Sequence, residues 1–270
     1  MSGIVVEAAL FTAFGVLVPM GVRAMIAARI RFLWAVASYL VVQSLLLGVA
    51  ALPGALALHG IAPYLPTATW QRVVVLAVGL LPICLLSALT LIVATAAAIR
   101  LLGWRTPPDQ VMPIVEYGWP VLDWARRGMC SHAVRLLVGT PFRGTPLWGL
   151  FLRLNGAKMG RGVWVNSVAI IDHDLLSFGD GTVIGHDVHL SGHTVEDGCV
   201  KTGTVRVGRN VTIGVGSVIG IDVEIGDGCK VGALSFVPKH ARLEAGATYA
   251  GSPVRRIDDK RERVSEKPGR

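Results

Sequence analysis

The sequence predicts apolar helices of the membrane type, followed by an all-β coil of parallel strands built from six-residue repeats. Uncharged apolar runs fill the first hundred residues, and an aliphatic–glycine pair recurs every six residues in the second half. Of 270 residues, 52% are hydrophobic and 16% are charged, and the mean hydropathy is +0.56. A soluble domain carries about 25% charged residues. The composition therefore argues against a fully water-soluble protein and excludes a disordered chain.

Two long uncharged runs, residues 32–52 and 73–99, predict transmembrane helices. A helix needs about 20 residues to span the bilayer core, and both runs are long enough. A shorter run, residues 8–22, lies between Glu7 and Arg23 and is predicted as a further helix, which spans the bilayer if both charges reach toward the interfaces. It lacks the basic start of a signal peptide. We therefore expect about three helices in a transmembrane region of residues 1–105.

The basic residues beside these runs predict how the helices are oriented. The connection between residues 52 and 73 offers only Arg72, whereas the other side carries Arg23, Arg29, Arg31, Arg100 and Arg105. By the positive-inside rule, the C-terminal part of a multi-pass cell-membrane protein then lies in the cytoplasm. The formal net charge of +8 favours anionic lipid or a phosphate-bearing ligand. The chain lacks the aromatic–basic interleaving of a nucleic-acid binder.

Residues 106–157 mix prolines, tryptophans and arginines. This composition predicts amphipathic helices that lie at the membrane surface, or helices that cap the next domain, and both alternatives are open.

The repeat occupies residues 158–252, and a basic tail, residues 253–270, follows it. Aliphatic–glycine pairs six apart begin at Val207, Ile213, Ile219, Ile225 and Val231. Upstream, Val165 and Ile171 share the period, and the fourth position after each apolar residue is uncharged and mostly small. One large and one small inward residue in every six describe a triangular coil with eighteen residues per turn, which buries its strand edges by stacking.

This is the hexapeptide-repeat, left-handed β-helix pattern, and the chain resembles the acyltransferases built on it. Residues 251–257 (GSPVRRI) are similar to the G-x-P-A-x-x-I ending of those enzymes, and residues 233–239 (ALSFVPK) to their G-A-x-S-V-V-x-K segment. A closer likeness runs from residues 139–141 through residues 172–175 to His193. It resembles the membrane-anchored C-terminal regions of poly-lysine-type nonribosomal peptide synthetases.

The resemblance implies transfer of an acyl or aminoacyl group from a thioester to an amine or hydroxyl group. The thioester is either acyl-coenzyme A or a carrier-bound one. The acceptor is a small molecule, a peptide or a glycan. It also implies a homotrimer, with acyl-coenzyme A as co-substrate and no tightly bound cofactor. In these enzymes, a histidine just before a loop is the general base. Here residues 194–203 interrupt the repeat, and His193 immediately precedes them. The unperturbed pKa of imidazole, near 6.5, suits a base that contributes about 10²–10⁴-fold in rate.

Spacing suggests a carboxylate partner for His193. With eighteen residues per turn and one inserted residue, Asp174 is predicted to stack below it and to fix its tautomer. The alternative for Asp174 is a solvated corner residue. Glu196 and Asp172 are second choices for the catalytic carboxylate, and Asp172 and His189 are also predicted to bind substrate.

The resemblance further implies that coenzyme A lies in a groove between neighbouring coils. Four residues match the corresponding segments: Ala233, Ser235, Lys239 and Arg255. The alternative for Lys239 and Arg255 is that they only solubilise the coil.

Two other functions stay open. The β-helix can be a non-catalytic membrane scaffold, or, with His186, His189 and His193, a zinc-dependent β-helix of the carbonic anhydrase type. We predict no metal site, because no second histidine cluster lies one or two turns away. The four cysteines form neither a disulfide framework nor a thiolate zinc site.

Overall fold

The computed structural model describes residues 20–257, which form two compact units. The first contains residues 20–107, 111–132 and 195–200, and the second contains residues 108–110, 133–194 and 201–257. Most of the shortest predicted helix, residues 8–22, and the end of the basic tail lie outside the described residues. The predicted fold class, apolar helices followed by a β-helix, is confirmed.

Two long helices dominate the first unit. Helix α1 (Met20–Ile61) continues into a short 3₁₀ turn (Ala62–Tyr64), and helix α2 (Thr69–Leu102) ends at Gly103 in the left-handed conformation. The predicted connection around Arg29 is wrong, because this residue lies inside α1. No glycine or proline occurs between residues 22 and 47 to end the helix earlier.

Both helices are long and apolar enough to cross a membrane by length and composition. Only 22% of the apolar stretch in α1 and 6% of that in α2 is buried. A Cβ atom added to Gly54 of α1 would lie 3.1 Å from Cγ2 of Ile83 in α2. The two helices therefore pack closely at this point.

The rest of the first unit is a small apolar core. It is built by strand β1 (Val111–Pro113), by helix α3 (Trp119–Val134) up to His132, and by residues 195–200. The buried side chains of this core are those of Ala35, Met112, Val121, Leu122 and Val200. Next to it, the guanidinium of Arg126 lies over the rings of Trp104 and Trp119.

The second unit opens with a tight helical segment. A π-helical turn (Arg135–Gly139) leads into the short helix α4 (Thr140–Phe142) and then into helix α5 (Pro146–Leu154). Trp148 of α5 is fully buried and donates a 2.9 Å hydrogen bond from Nε1 to the carbonyl oxygen of Ser167. Helix α5 thus packs against the first coil of the β-helix.

Three parallel sheets form the sides of the coil. The first contains β2 (Lys158–Met159), β5 (Leu176–Phe178), β10 (Val205–Val207), β13 (Val223–Ile225) and β16 (Arg242–Leu243). The second contains β3 (Trp164–Val165), β6 (Val183–Ile184), β11 (Thr212–Ile213), β14 (Lys230–Val231), β17 (Thr248–Ala250) and the antiparallel β18 (Arg255–Arg256). The third contains β4 (Ile170–Ile171), β7 (His189–Ser191), β12 (Val218–Ile219) and β15 (Phe236–Val237).

The register of these sheets follows the sequence period. Val205 pairs with Val223, eighteen positions along, but Leu176 pairs with Val205, twenty-nine positions along, because a hairpin is inserted between them. The predicted inward residues from Val207 to Val231 are buried. At Gly214 an added Cβ would lie 2.4 Å from the backbone nitrogen of Ala233, so the tight corner there requires glycine.

Candidate active site

The predicted interruption of the repeat is a two-stranded hairpin. Strands β8 (His193–Glu196) and β9 (Cys199–Thr202) are joined by Asp197 and Gly198, whose φ angles are 53° and 71°. Two successive positive φ values are typical of the tight turns that connect such strands. At the base of the hairpin, the backbone nitrogen of Gly203 donates a 2.8 Å hydrogen bond to the carbonyl oxygen of Gly192.

His193 stands at the first position of this hairpin, where it contacts Asp172. Its Nδ1 lies 2.5 Å from Oδ2 of Asp172. The Asp172 side chain is 3% exposed and that of His193 is 20% exposed. A buried carboxylate this close to Nδ1 favours the tautomer that carries its proton there, which leaves Nε2 as the proton acceptor.

Ser191 completes a three-residue contact. Its Oγ lies 3.2 Å from Oδ2 of Asp172 and 2.9 Å from Nδ1 of His193. The backbone nitrogen of His193 also donates to this hydroxyl over 3.2 Å. Because Nδ1 donates to the carboxylate, the Ser191 hydroxyl is left to donate to Asp172. Ser191 was not predicted as a site residue, because its position two residues before His193 was the only signal in the sequence.

The prediction that Asp174 stacks below His193 is wrong. Ile170, not Ile171, is the fully buried residue of β4, and it pairs with Leu190, twenty positions along rather than nineteen. Asp172 then takes a left-handed conformation, with φ 54°, and begins a 3₁₀ turn (His173–Leu175). This extra turn moves the corner, so Asp172 reaches the histidine.

Asp174 lies on another side of that turn. A Cβ atom added to Gly156, whose φ is +105°, would lie 3.0 Å from Cβ of Asp174. The aspartate therefore packs against the segment that follows α5.

A glycine allows the hairpin to approach this corner. A Cβ atom added to Gly192 would lie 2.7 Å from Cδ1 of Leu175 and 3.1 Å from Cβ of Asp172. Real Cβ atoms do not occupy such positions, so any larger residue at 192 would have to displace the aspartate or the turn.

His189 and Arg135 belong to the same electrostatic cluster. Desolvation lowers the pKa of His189, and positive charge at His193 and at Arg135 lowers it further, against the opposing effect of Asp172. Burial also lowers the pKa of Arg135, while Asp172 opposes that shift. Arg135 was not singled out in the sequence, because nothing in its local pattern distinguishes it from the neighbouring arginines.

Glu196 lies on β8, three positions beyond His193. Successive side chains of a strand alternate between its faces, so the two residues point to opposite faces. A catalytic role for Glu196 stays a prediction.

The four residues expected at coenzyme A differ in accessibility. Ala233, Lys239 and Arg255 are exposed. The Ser235 side chain is buried, its Oγ accepts a 3.2 Å hydrogen bond from the backbone nitrogen of Gly251, and it cannot reach a ligand outside the coil.

The histidines proposed for zinc make other contacts. Nδ1 of His186 lies 2.9 Å from Oδ2 of Asp187. Within residues 20–257, the His, Cys, Asp and Glu side chains form no group of three or more that is able to hold a metal ion.

Comparison with known proteins places the chain among acyltransferase-like sequences. No family model matches it. The Bacillus subtilis protein YvoF, named as a candidate acetyltransferase, is 32% identical over 125 residues, which cover 46% of this chain and 72% of YvoF. Delta-poly-L-ornithine synthetase of Acinetobacter baumannii is 28% identical over 139 residues, which cover 50% of this chain and 10% of the synthetase. The chain thus spans only a small part of that synthetase.

One solved structure is a galactoside acetyltransferase in complex with coenzyme A. It shares 20% identity with this chain at a TM-score of 0.38. The alignment covers 52% of this chain and 84% of the galactoside acetyltransferase.

Proposed function

The chain belongs to the hexapeptide-repeat acyltransferase superfamily, and on this premise we propose that it transfers an acyl or aminoacyl group from a thioester to an amine or hydroxyl acceptor, with His193 as general base. The observation that carries the proposal is the contact between Nδ1 of His193 and the buried carboxylate of Asp172. It orients the imidazole and leaves Nε2 available to the acceptor.

The transfer then proceeds by addition and elimination. The acceptor nitrogen or oxygen attacks the thioester carbonyl carbon while Nε2 of His193 takes its proton. The tetrahedral intermediate collapses, the carbon–sulfur bond breaks, and the imidazolium returns the proton to the departing thiolate. The products are the acylated acceptor and a free thiol, and the histidine is regenerated.

We place acyl-coenzyme A along the coil near Lys239. The paired strands β7, β12 and β15 bring the corner after Val237 two rungs from the corner that holds Gly192. Two rungs correspond to about 10 Å, at about 4.8 Å per strand spacing. Exposed Lys239 and Arg255 suit the phosphates of coenzyme A, and the backbone near Ala233 suits the pantetheine arm.

We also propose that the protein resides in the cell membrane and that its β-helix lies in the cytoplasm. The length and apolar surface of α1 and α2 support membrane insertion. If α1 and α2 cross in opposite directions, the arginines near the start of α1 lie on the same side as Arg100 and Arg105, as the positive-inside rule requires.

A homotrimer is the assembly that we propose, with contacts on the sheet that carries His189. Val218 of β12 pairs with His189 of β7, and Phe236 of β15 pairs with Val218. Both Val218 and Phe236 are exposed. Exposed Val215 and Leu234 lie at adjacent corners. Clustered apolar side chains on a coil surface are typical of a contact between protein chains.

Acceptor-dependent release of coenzyme A tests the function. The purified full chain in detergent, mixed with acetyl-coenzyme A and a panel of amines and hydroxyl compounds, should release free thiol only when an acceptor is present. His193→Ala should lower that rate by about 10²–10⁴-fold, whereas His132→Ala, at an exposed position on α3, should not. Equal rates for the wild type and His193→Ala would overturn the proposal. A wild type that neither binds coenzyme A nor releases thiol would support the scaffold alternative.

A further inference from the structure

Arg135 lies close enough to Asp172 for the two charges to interact, and it begins a turn that packs against the first coil. The π-helical turn that begins with Arg135 ends at Gly139, where an added Cβ would lie 3.0 Å from Cζ3 of Trp148 and 3.1 Å from Cγ1 of Val168. Trp148 is fully buried, so this turn is held tightly against the first coil. Single π-helical turns of this kind are frequent at functional sites.

The guanidinium of Arg135 has an unused donor. Its Nε is buried and makes no hydrogen bond to any described residue. Three arginines of the coil surface differ from it: Arg206, Arg209 and Arg242 form ion pairs with carboxylates at exposed positions. A planar guanidinium with a free inner donor is suited to bind a carboxylate or phosphate through two parallel hydrogen bonds.

Charges around the site leave room for one more anion. Arg135 and Asp172 carry opposite charges and act on each other, and His189 lies within the field of Arg135. Arg135 and Asp172 contribute one positive and one negative charge to this cluster. When His193 takes the acceptor proton, the site gains a positive charge, and a negative group on the bound acceptor would compensate it.

An anionic group bound by Arg135 would belong to the acceptor rather than to the thioester donor. The thioester end of coenzyme A must lie at His193, and the uncharged pantetheine arm separates that end from the phosphates. A phosphate of coenzyme A is therefore remote when the acyl carbon is in place.

We propose that Arg135 binds a carboxylate or phosphate group on the acceptor and so selects anionic acceptors over neutral ones. This inference rests on the proposed acyl transfer, because it assigns the acceptor class of the same site. Arg135 does not take part in proton transfer.

Three probes that share an aminoethyl core test the inference. Ethanolamine is neutral apart from its amine. L-serine adds a carboxylate to this core, and O-phosphoethanolamine adds a phosphate. Binding is measured for the full chain in detergent as the concentration-dependent rise in Tm, and transfer as kcat/KM with acetyl-coenzyme A. We expect at least one anionic probe to bind the wild type about tenfold or more tightly than ethanolamine. The arm that does so identifies carboxylate or phosphate as the recognised group.

The variants are Arg135→Gln, Arg135→Lys and, as a matched control, Arg206→Gln. Arg135→Gln should abolish the preference for the anionic probes and leave binding of ethanolamine within about twofold of the wild type. Arg135→Lys should retain part of the preference. Arg206→Gln should behave as the wild type.

Failures of the two proposals are distinguishable. An equal loss for all three probes in Arg135→Gln, or no anion preference in the wild type, overturns the inference even if acyl transfer is observed. Anion binding that depends on Arg135 but is accompanied by no acyl transfer keeps the inference about binding and refutes the proposed function.

Discussion

Nδ1 of His193 and Oδ2 of Asp172 lie 2.5 Å apart although 21 positions separate the two residues in the sequence. One coil of the β-helix brings them together, because Asp172 directly follows strand β4 and His193 starts the hairpin after the neighbouring strand β7. The left-handed backbone at Asp172 turns the chain into the 3₁₀ turn that follows. The geometry of the site thus depends on one irregular corner in a regular coil.

Enlarging Gly192 should disturb this corner. In Gly192→Ala, the new Cβ would lie 2.7 and 2.8 Å from two atoms of Leu175, so the turn or the hairpin must move. We expect a loss of about 1–3 kcal/mol in the free energy of unfolding and a lower kcat, measured by denaturant melts and by thiol release.

Gly149→Ala is the matched control, because nothing lies within 4 Å of a Cβ at this position in α5. It should leave both quantities unchanged or raise stability slightly. Full activity in Gly192→Ala would show that the corner tolerates displacement.

Removing the cations near the proposed donor groove should weaken binding of coenzyme A. For the double variant Lys239→Gln/Arg255→Gln, we expect a rise of about three- to tenfold in KM for acetyl-coenzyme A with kcat little changed, as is typical of exposed charge contacts. Steady-state kinetics at varied acetyl-coenzyme A measures it. Lys230→Gln, at another exposed lysine on strand β14, is the control. A fall in kcat at constant KM would refute the assignment.

Acidification should lower the stability of the folded chain partly through the protonation of His189. Its pKa is lowered in the folded chain, chiefly by desolvation, whereas in the unfolded chain the imidazole keeps its ordinary pKa near 6.5. Between these two pKa values the unfolded state binds more protons than the folded state. The contribution of His189 to the free energy of unfolding is therefore highest above about pH 6.5 and declines as the pH falls.

We expect the drop in Tm between about pH 7 and pH 5.5 to be smaller in His189→Gln than in the wild type. His132→Gln, which removes an exposed histidine of α3, should keep the wild-type slope. A steeper decline in His189→Gln would contradict the assigned direction of the shift.

The regular part of the coil was predictable because its period is strict. From Val207 to Val231 an inward residue recurs every six positions, and each is buried as expected. The position of His193 at the start of the hairpin was also predictable, since the residue stands where the period stops.

The irregular corner was not predictable from spacing. The pattern offered two adjacent isoleucines, Ile170 and Ile171, and only their packing shows that the first points inward. The one-residue error moved the expected carboxylate from Asp172 to Asp174. Arg135 was not predicted as a site residue because its proposed role depends on a turn that packs against the coil. No local pattern in the sequence indicates that packing.

The proposal that Asp172 orients His193 as the general base is tested most directly by comparing kcat for acyl transfer in Asp172→Asn and Asp174→Asn. Asparagine keeps the size of aspartate and removes its charge, so we expect a loss of about 10²-fold or more in Asp172→Asn and less than about twofold in Asp174→Asn. A comparable loss in Asp174→Asn, or an unchanged kcat in Asp172→Asn, would contradict the account.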